Sequence, residues 1–146
     1  MIIEKLLNSK KIFVRQKQES IEKIINIILY DYENVNNLYG IETLDRSSTV
    51  YIFFTNACSK ISFEDHDRIN KTKAIIIREN VINGSPNALD FQLSSFLGYL
   101  ISKNQKLNHK IYYYIVSKDK GYRPLINYWG KRKINLYLID KLEDIG

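Results

Sequence analysis

Five short runs rich in Ile, Tyr and Val recur along the chain, separated by longer stretches of mixed polarity, and this alternation limits the fold more than any other feature. The runs are Ile24 to Tyr30, Thr49 to Phe54, Ala74 to Ile77, Ile111 to Val116 and Ile134 to Ile139. A strand with one face in water alternates apolar and polar residues with period two. These runs are too continuously apolar for that and read as strands buried on both faces. Such strands need helices above and below. The expected fold class is therefore α/β, a three-layer α/β/α arrangement around a mainly parallel five-stranded sheet of Rossmann-like kind.

Helical candidates fill the intervals: Asn37 to Leu44, Phe63 to Lys71, Pro86 to Lys103 and Tyr122 to Lys131. The third is the clearest. Ser85 suits an N-cap, Pro86 suits the first helical position, and Leu89, Leu93, Leu97 and Leu100 make one apolar stripe. A chain of 146 residues buries roughly 68–70% of its unfolded surface, so one core suffices. The expected layout is a single domain over 23–146 preceded by a basic, weakly amphipathic extension over 1–22. That extension reads as an added helix or as a contact arm.

The composition narrows the function classes. Cys58, the one cysteine, forms no intramolecular disulfide, and beside it His66 and His109 make no zinc-ligand cluster at the usual spacing. Neither histidine has a catalytic partner in the sequence. The first 20 residues lack the apolar stretch of a secretory signal, and no window reaches the ~18 apolar residues of a membrane span. The expectation is a cytoplasmic protein without a membrane partner. A net charge of +6 and a pI near 9.3 favour a polyanionic partner, although a basic surface also serves solubility. No Gly-x-Gly-x-x-Gly or phosphate-loop lysine motif is present, which argues against a dinucleotide or nucleotide site.

Three acids stand out. Asp31 follows the first strand in Asp31-Tyr32-Glu33-Asn34, Asp119 follows the fourth in Ser117-Lys118-Asp119-Lys120-Gly121, and Asp90 lies in the first turn of the Pro86 to Lys103 helix. In an open parallel sheet all three positions fall at the carboxyl edge of the strands, where ligands bind. A lone Asp after a strand is ordinarily a loop or cap residue; the agreement of three on one edge is what gives the pattern weight. Clustered carboxylates raise one another's pKa unless a cation neutralises them, and Mg²⁺ or Mn²⁺ takes oxygen ligands while keeping waters. The positive end of the helix favours ionised Asp90 by roughly 0.3–1 kcal/mol.

The segments Ile28-Leu29-Tyr30-Asp31-Tyr32-Glu33-Asn34-Val35, Pro86-Asn87-Ala88-Leu89-Asp90-Phe91-Gln92-Leu93 and Ile115-Val116-Ser117-Lys118-Asp119-Lys120-Gly121-Tyr122 resemble the PIN-like superfamily, most closely its bacterial NYN-type branch. The resemblance runs from about residue 24 to 140. It implies a metal-dependent ribonuclease that hydrolyses phosphodiester bonds of single-stranded RNA, as an endonuclease, with Mg²⁺ or Mn²⁺ as cofactor. By that resemblance Asp31, Asp90 and Asp119 are the catalytic and metal-binding acids, and Ser117 supports the Asp119 loop. A fourth acid, common in the family, is ambiguous here between Glu33, Glu79 and Asp140.

Around these acids, Asn34 and Asn87 read either as partners of a metal water or substrate or as helix-start residues, and Glu33 joins them in a supporting role. Lys118, Lys120 and Arg123 are candidate contacts for RNA phosphate, with plain solvation as the alternative. Tyr122, Arg123, Tyr128, Trp129, Lys131, Arg132 and Lys133 interleave basic and aromatic residues in a way that suits single-stranded RNA. Tyr112, Tyr113 and Tyr114 read as strand residues that pack into the core. The competing reading is a PIN-like module that binds RNA or protein without cleaving. A phosphoacceptor domain ranks lower, since the third strand ends in Arg78-Glu79-Asn80 where it would need an Asp. Self-association stays open.

Overall fold

The computed structural model describes residues 23–56, 60–82 and 85–145. Cys58 and the extension over 1–22 lie outside them. Five strands, β1 (Ile25–Asp31), β2 (Ser48–Thr55), β3 (Ile75–Val81), β4 (Ile111–Val116) and β5 (Leu136–Ile139), form one sheet in the order β3-β2-β1-β4-β5. All four strand pairings are parallel. Among the described residues the α-helices are α1 (Tyr32–Val35), α2 (Phe63–Lys71), α3 (Ala88–Lys103) and α4 (Arg123–Gly130).

Both faces of the sheet are covered, as continuous apolar strands require. On one face, Ile27, Leu29, Phe53, Tyr113 and Ile115 pack with the α3 stripe Leu89, Leu93, Leu97 and Leu100 and with Leu125, Ile126 and Trp129 of α4. On the other, Ile28, Tyr30, Val50, Ile52 and Val116 pack with Tyr32, Val35, Leu38, Ile41 and Leu142. The three-layer α/β/α architecture is thus the one the strand pattern predicts. Tyr113 and Tyr114 are buried and Tyr112 is half-buried, in keeping with a packing role.

Four local expectations are corrected. The segment Asn37 to Leu44 is not an α-helix but a turn leading into a single 3₁₀ turn, Ile41–Thr43. Gly40 there has φ +91, a left-handed conformation that stops a helix, while Leu38, Ile41 and Leu44 are buried at a spacing that mimics one. Helix α3 starts at Ala88 with Asn87, not Ser85, at its N-cap position. The Ala88 amide donates to the Ser85 carbonyl, so Pro86 occupies the second position of a β-turn and precedes the helix. The third strand runs on through Arg78, Glu79 and Asn80 to Val81, and it is not buried on both faces. It lies at the sheet edge, where polar side chains reach solvent and the test of continuous apolarity fails. The fifth strand begins at Leu136, after Lys133 takes a left-handed φ of 62.

Candidate active site

The strand order reverses direction between β1 and β4, and their carboxyl ends open the crevice in which such sheets bind ligands. Asp31 is the last residue of β1 and is 3% exposed. Its Oδ2 accepts a hydrogen bond from the Ser117 hydroxyl at 2.9 Å, and its Oδ1 accepts one from the Asn34 amide at 3.3 Å. The second bond caps helix α1, so Asp31 serves as a cap as well as an acid.

Ser117 and Asn34 hold the loop after β4. The Ser117 hydroxyl, fully buried, accepts from the Asp119 amide at 3.0 Å. The Asn34 side chain accepts from the Lys118 amide at 2.7 Å. Asp119 then accepts from the Gly121 amide at 2.8 Å. A Cβ on Gly121 would stand 3.0 Å from Asp119 Oδ1, so glycine keeps this tight turn from crowding the carboxylate.

Asp90 joins through a residue that the sequence grouped with the basic and aromatic residues suited to single-stranded RNA. Tyr122 is 3% exposed and its hydroxyl donates to Asp90 Oδ1 at 2.9 Å, linking the loop after β4 to the first turn of α3. Burial, followed by the charges of Asp31 and Asp90, pushes the Tyr122 phenol far above its ordinary range and keeps it a donor. Asp119 adds to the same shift. Tyr122 is thus the common neighbour of all three acids. The signal available in the sequence was its place three residues after Asp119.

Electrostatics converge on Asp31. Burial pushes its carboxyl up to about 6, the charges of Asp90 and Glu33 add to the rise, and the bonds from Ser117 and Asn34 oppose it. Of the three residues considered as a fourth acid, Glu33 is exposed but acts on Asp31, Glu79 is half-buried on β3 and Asp140 is exposed beyond β5. Lys118, Lys120 and Arg123 are exposed around the Asp119 loop. Asn87 is exposed and makes no side-chain cap bond. From the basic and aromatic cluster, Arg132 lies 3.8 Å over the Tyr128 ring and donates to the Tyr128 carbonyl at 3.1 Å, bracing the end of α4.

The PIN domain family model matches residues 25–137, more than half of the chain. The chain belongs to the PIN domain family. The match covers β1 to β4, the first half of β5 and all the acids discussed except Asp140. No curated protein and no solved structure matches the chain. Among the described residues of this PIN domain, no group of three His, Cys, Asp or Glu side chains is close enough to hold a metal ion by direct ligation. Also among the described residues, no helix is long and apolar enough to cross a membrane. The donor chemistry nonetheless suits a hard cation. Asp31 is buried beside two further acids without a described cationic partner, and Mg²⁺ is commonly held by one or two carboxylates plus waters.

Proposed function

We propose that this PIN domain is a metal-dependent ribonuclease of the NYN type that hydrolyses phosphodiester bonds within single-stranded RNA. PIN domains are generally metal-dependent nucleases that act on RNA, and the bacterial NYN-type resemblance of the three acid motifs supports the finer assignment. The observation that carries the reading is Asp31: a buried carboxylate at the switch point of the sheet, raised to about 6 and tied by Ser117 to the Asp119 loop.

In this reading Asp31, Asp90 and Asp119 hold Mg²⁺ or Mn²⁺, largely through waters. When bound, such a cation lowers the pKa of water and stabilises the charge that builds on the phosphodiester. The protein groups supply position. Ser117 and Asn34 fix Asp31 and the loop, Tyr122 fixes Asp90, and Glu33 adds negative potential. Asn87 stands at the start of α3, within the same edge. Lys118, Lys120 and Arg123 neutralise backbone phosphates on either side of the scissile bond. We place the protein in the cytoplasm and leave its self-association open. Incubation of a labelled single-stranded RNA with and without Mn²⁺ tests the reading, and internal cleavage only with metal is expected.

A binding module that retains RNA without cutting it is the second reading. It is favoured by the absence of a direct three-ligand group among the described residues. RNA retention with no Mn²⁺-stimulated product at high protein concentration would establish it.

A further inference from the structure

Helix α3 and the edge strand β3 enclose a groove of about 430 Å³ lined by Phe53, Glu79, Phe91, Gln92, Ser95 and Phe96. Its walls adjoin the acids. Phe91 follows Asp90 in α3, Phe53 is the register partner of Asp31, and Glu79 is the register partner of Phe53. In-register residues of parallel strands point to the same side, so Asp31, Phe53 and Glu79 form one row across the sheet face beneath α3. The row spans two strand spacings, about 10 Å.

The groove has a rigid wall and an open one. Phe96 is braced edge-on by Tyr51 at 4.8 Å and by Phe53 at 5.8 Å, and it stacks on Tyr99 at 6.1 Å between centroids. Phe91 is 68% exposed. A braced aromatic wall and an exposed ring in one lining suit the flat face of a base, which stacks on aromatic side chains whatever its identity. Among the described residues Glu79 is the one charged residue of the lining, and it would repel a phosphate. Its carboxylate accepts hydrogen bonds from the N–H groups on a base edge, and guanine presents two adjacent N–H donors on its Watson–Crick edge. A base lies one sugar away from its phosphate, a reach that fits a groove flanking the acids.

We propose that this groove is a base-specificity pocket in which Phe91 and Phe96 hold one unpaired nucleobase of the RNA strand and Glu79 selects guanine. The proposal rests on the reading of the neighbouring acids as an RNA site. Gln92 and Ser95 offer donors and acceptors to the remaining edge of the base.

The test is equilibrium binding by fluorescence anisotropy in excess chelator, where cleavage plays no part. The probes are short oligouridylates carrying one central guanine, adenine, cytosine or uracil. One guanine is expected to tighten binding about tenfold, Glu79→Gln to erase that preference without weakening binding to the uridine tract, and Phe91→Ala to weaken every probe about tenfold. Equal affinity for all probes, a guanine preference that survives Glu79→Gln, or unchanged affinity in a folded Phe91→Ala variant overturns the proposal. Sedimentation runs alongside. A wild-type dimer dissociated by Phe91→Ala with RNA affinity intact would make the groove a self-association face and overturn it too. Failure of Mn²⁺-dependent cleavage would count against the nuclease reading alone, because the binding arm does not depend on turnover.

Discussion

The Ser117 hydroxyl donates to Asp31 Oδ2 at 2.9 Å across 86 positions of sequence, and the same oxygen accepts the Asp119 amide at 3.0 Å. One buried hydroxyl therefore sets the distance between two acids that arrive on different strands. Removing it acts on both geometry and ionisation. Because the Ser117 bond lowers the Asp31 pKa from what burial alone would impose, Ser117→Ala is expected to move the acid limb of the pH–activity profile upward. A stability loss of roughly 1–2 kcal/mol should accompany it, as for a buried hydrogen bond with one partner removed. A profile that stays in place would show that Asp31 ionisation does not govern activity.

Asp31 also makes a prediction about stability. Its folded pKa is raised to about 6 from 3.8, so the folded state holds the proton more tightly than the unfolded chain. No penalty exists below about pH 4, where both states are protonated; the penalty grows between 4 and 6 and is complete above 6. Its ceiling is about 3 kcal/mol. Asp31→Asn should therefore raise the Tm at pH 8 and lose that advantage as the pH falls to 4. Added Mn²⁺ should raise the Tm of the wild type and leave the variant unmoved. Thermal melts over pH and metal concentration read both effects, and a variant less stable than wild type at pH 8 would contradict the account.

Tyr122 offers a way to perturb Asp90 without touching a carboxylate. Tyr122→Phe keeps the buried ring and deletes only the donor to Asp90 Oδ1. We expect a stability change of about 1 kcal/mol and a fall in cleavage of about tenfold with RNA binding preserved. Circular dichroism, anisotropy and initial rates measured on one preparation separate these effects. Unchanged cleavage would remove Tyr122 from the positioning of Asp90.

Much of the framework was readable because buried parallel strands announce themselves. The continuous runs around Leu29 and Ile115 predicted β1 and β4, and the acids that follow them fell at the switch point by topology. The leucine stripe of α3 fixed the helix that carries Asp90. What escaped the sequence was governed by contacts outside the local pattern. Tyr122 read as part of a basic and aromatic cluster suited to RNA, since nothing local reveals that its hydroxyl reaches a residue 32 positions earlier. Glu79 looked like the end of a strand because an edge strand carries polar residues that a central one excludes. The helix expected over Asn37 to Leu44 followed apolar spacing, and the left-handed Gly40 overrode it.

The central claim is that the acids at the β1 and β4 edge cut RNA with a divalent metal. The most direct measurement is cleavage of an end-labelled single-stranded RNA pool in Mn²⁺, Mg²⁺ or chelator, with wild type, Asp31→Asn, Asp90→Asn and Asp119→Asn run in parallel after each is shown to be folded. The account predicts internal products from the wild type in metal, none in chelator, and a loss of at least a hundredfold in each variant, on the order of 3 kcal/mol of transition-state stabilisation. Products that persist in chelator, or that Asp31→Asn forms at the wild-type rate, would contradict it.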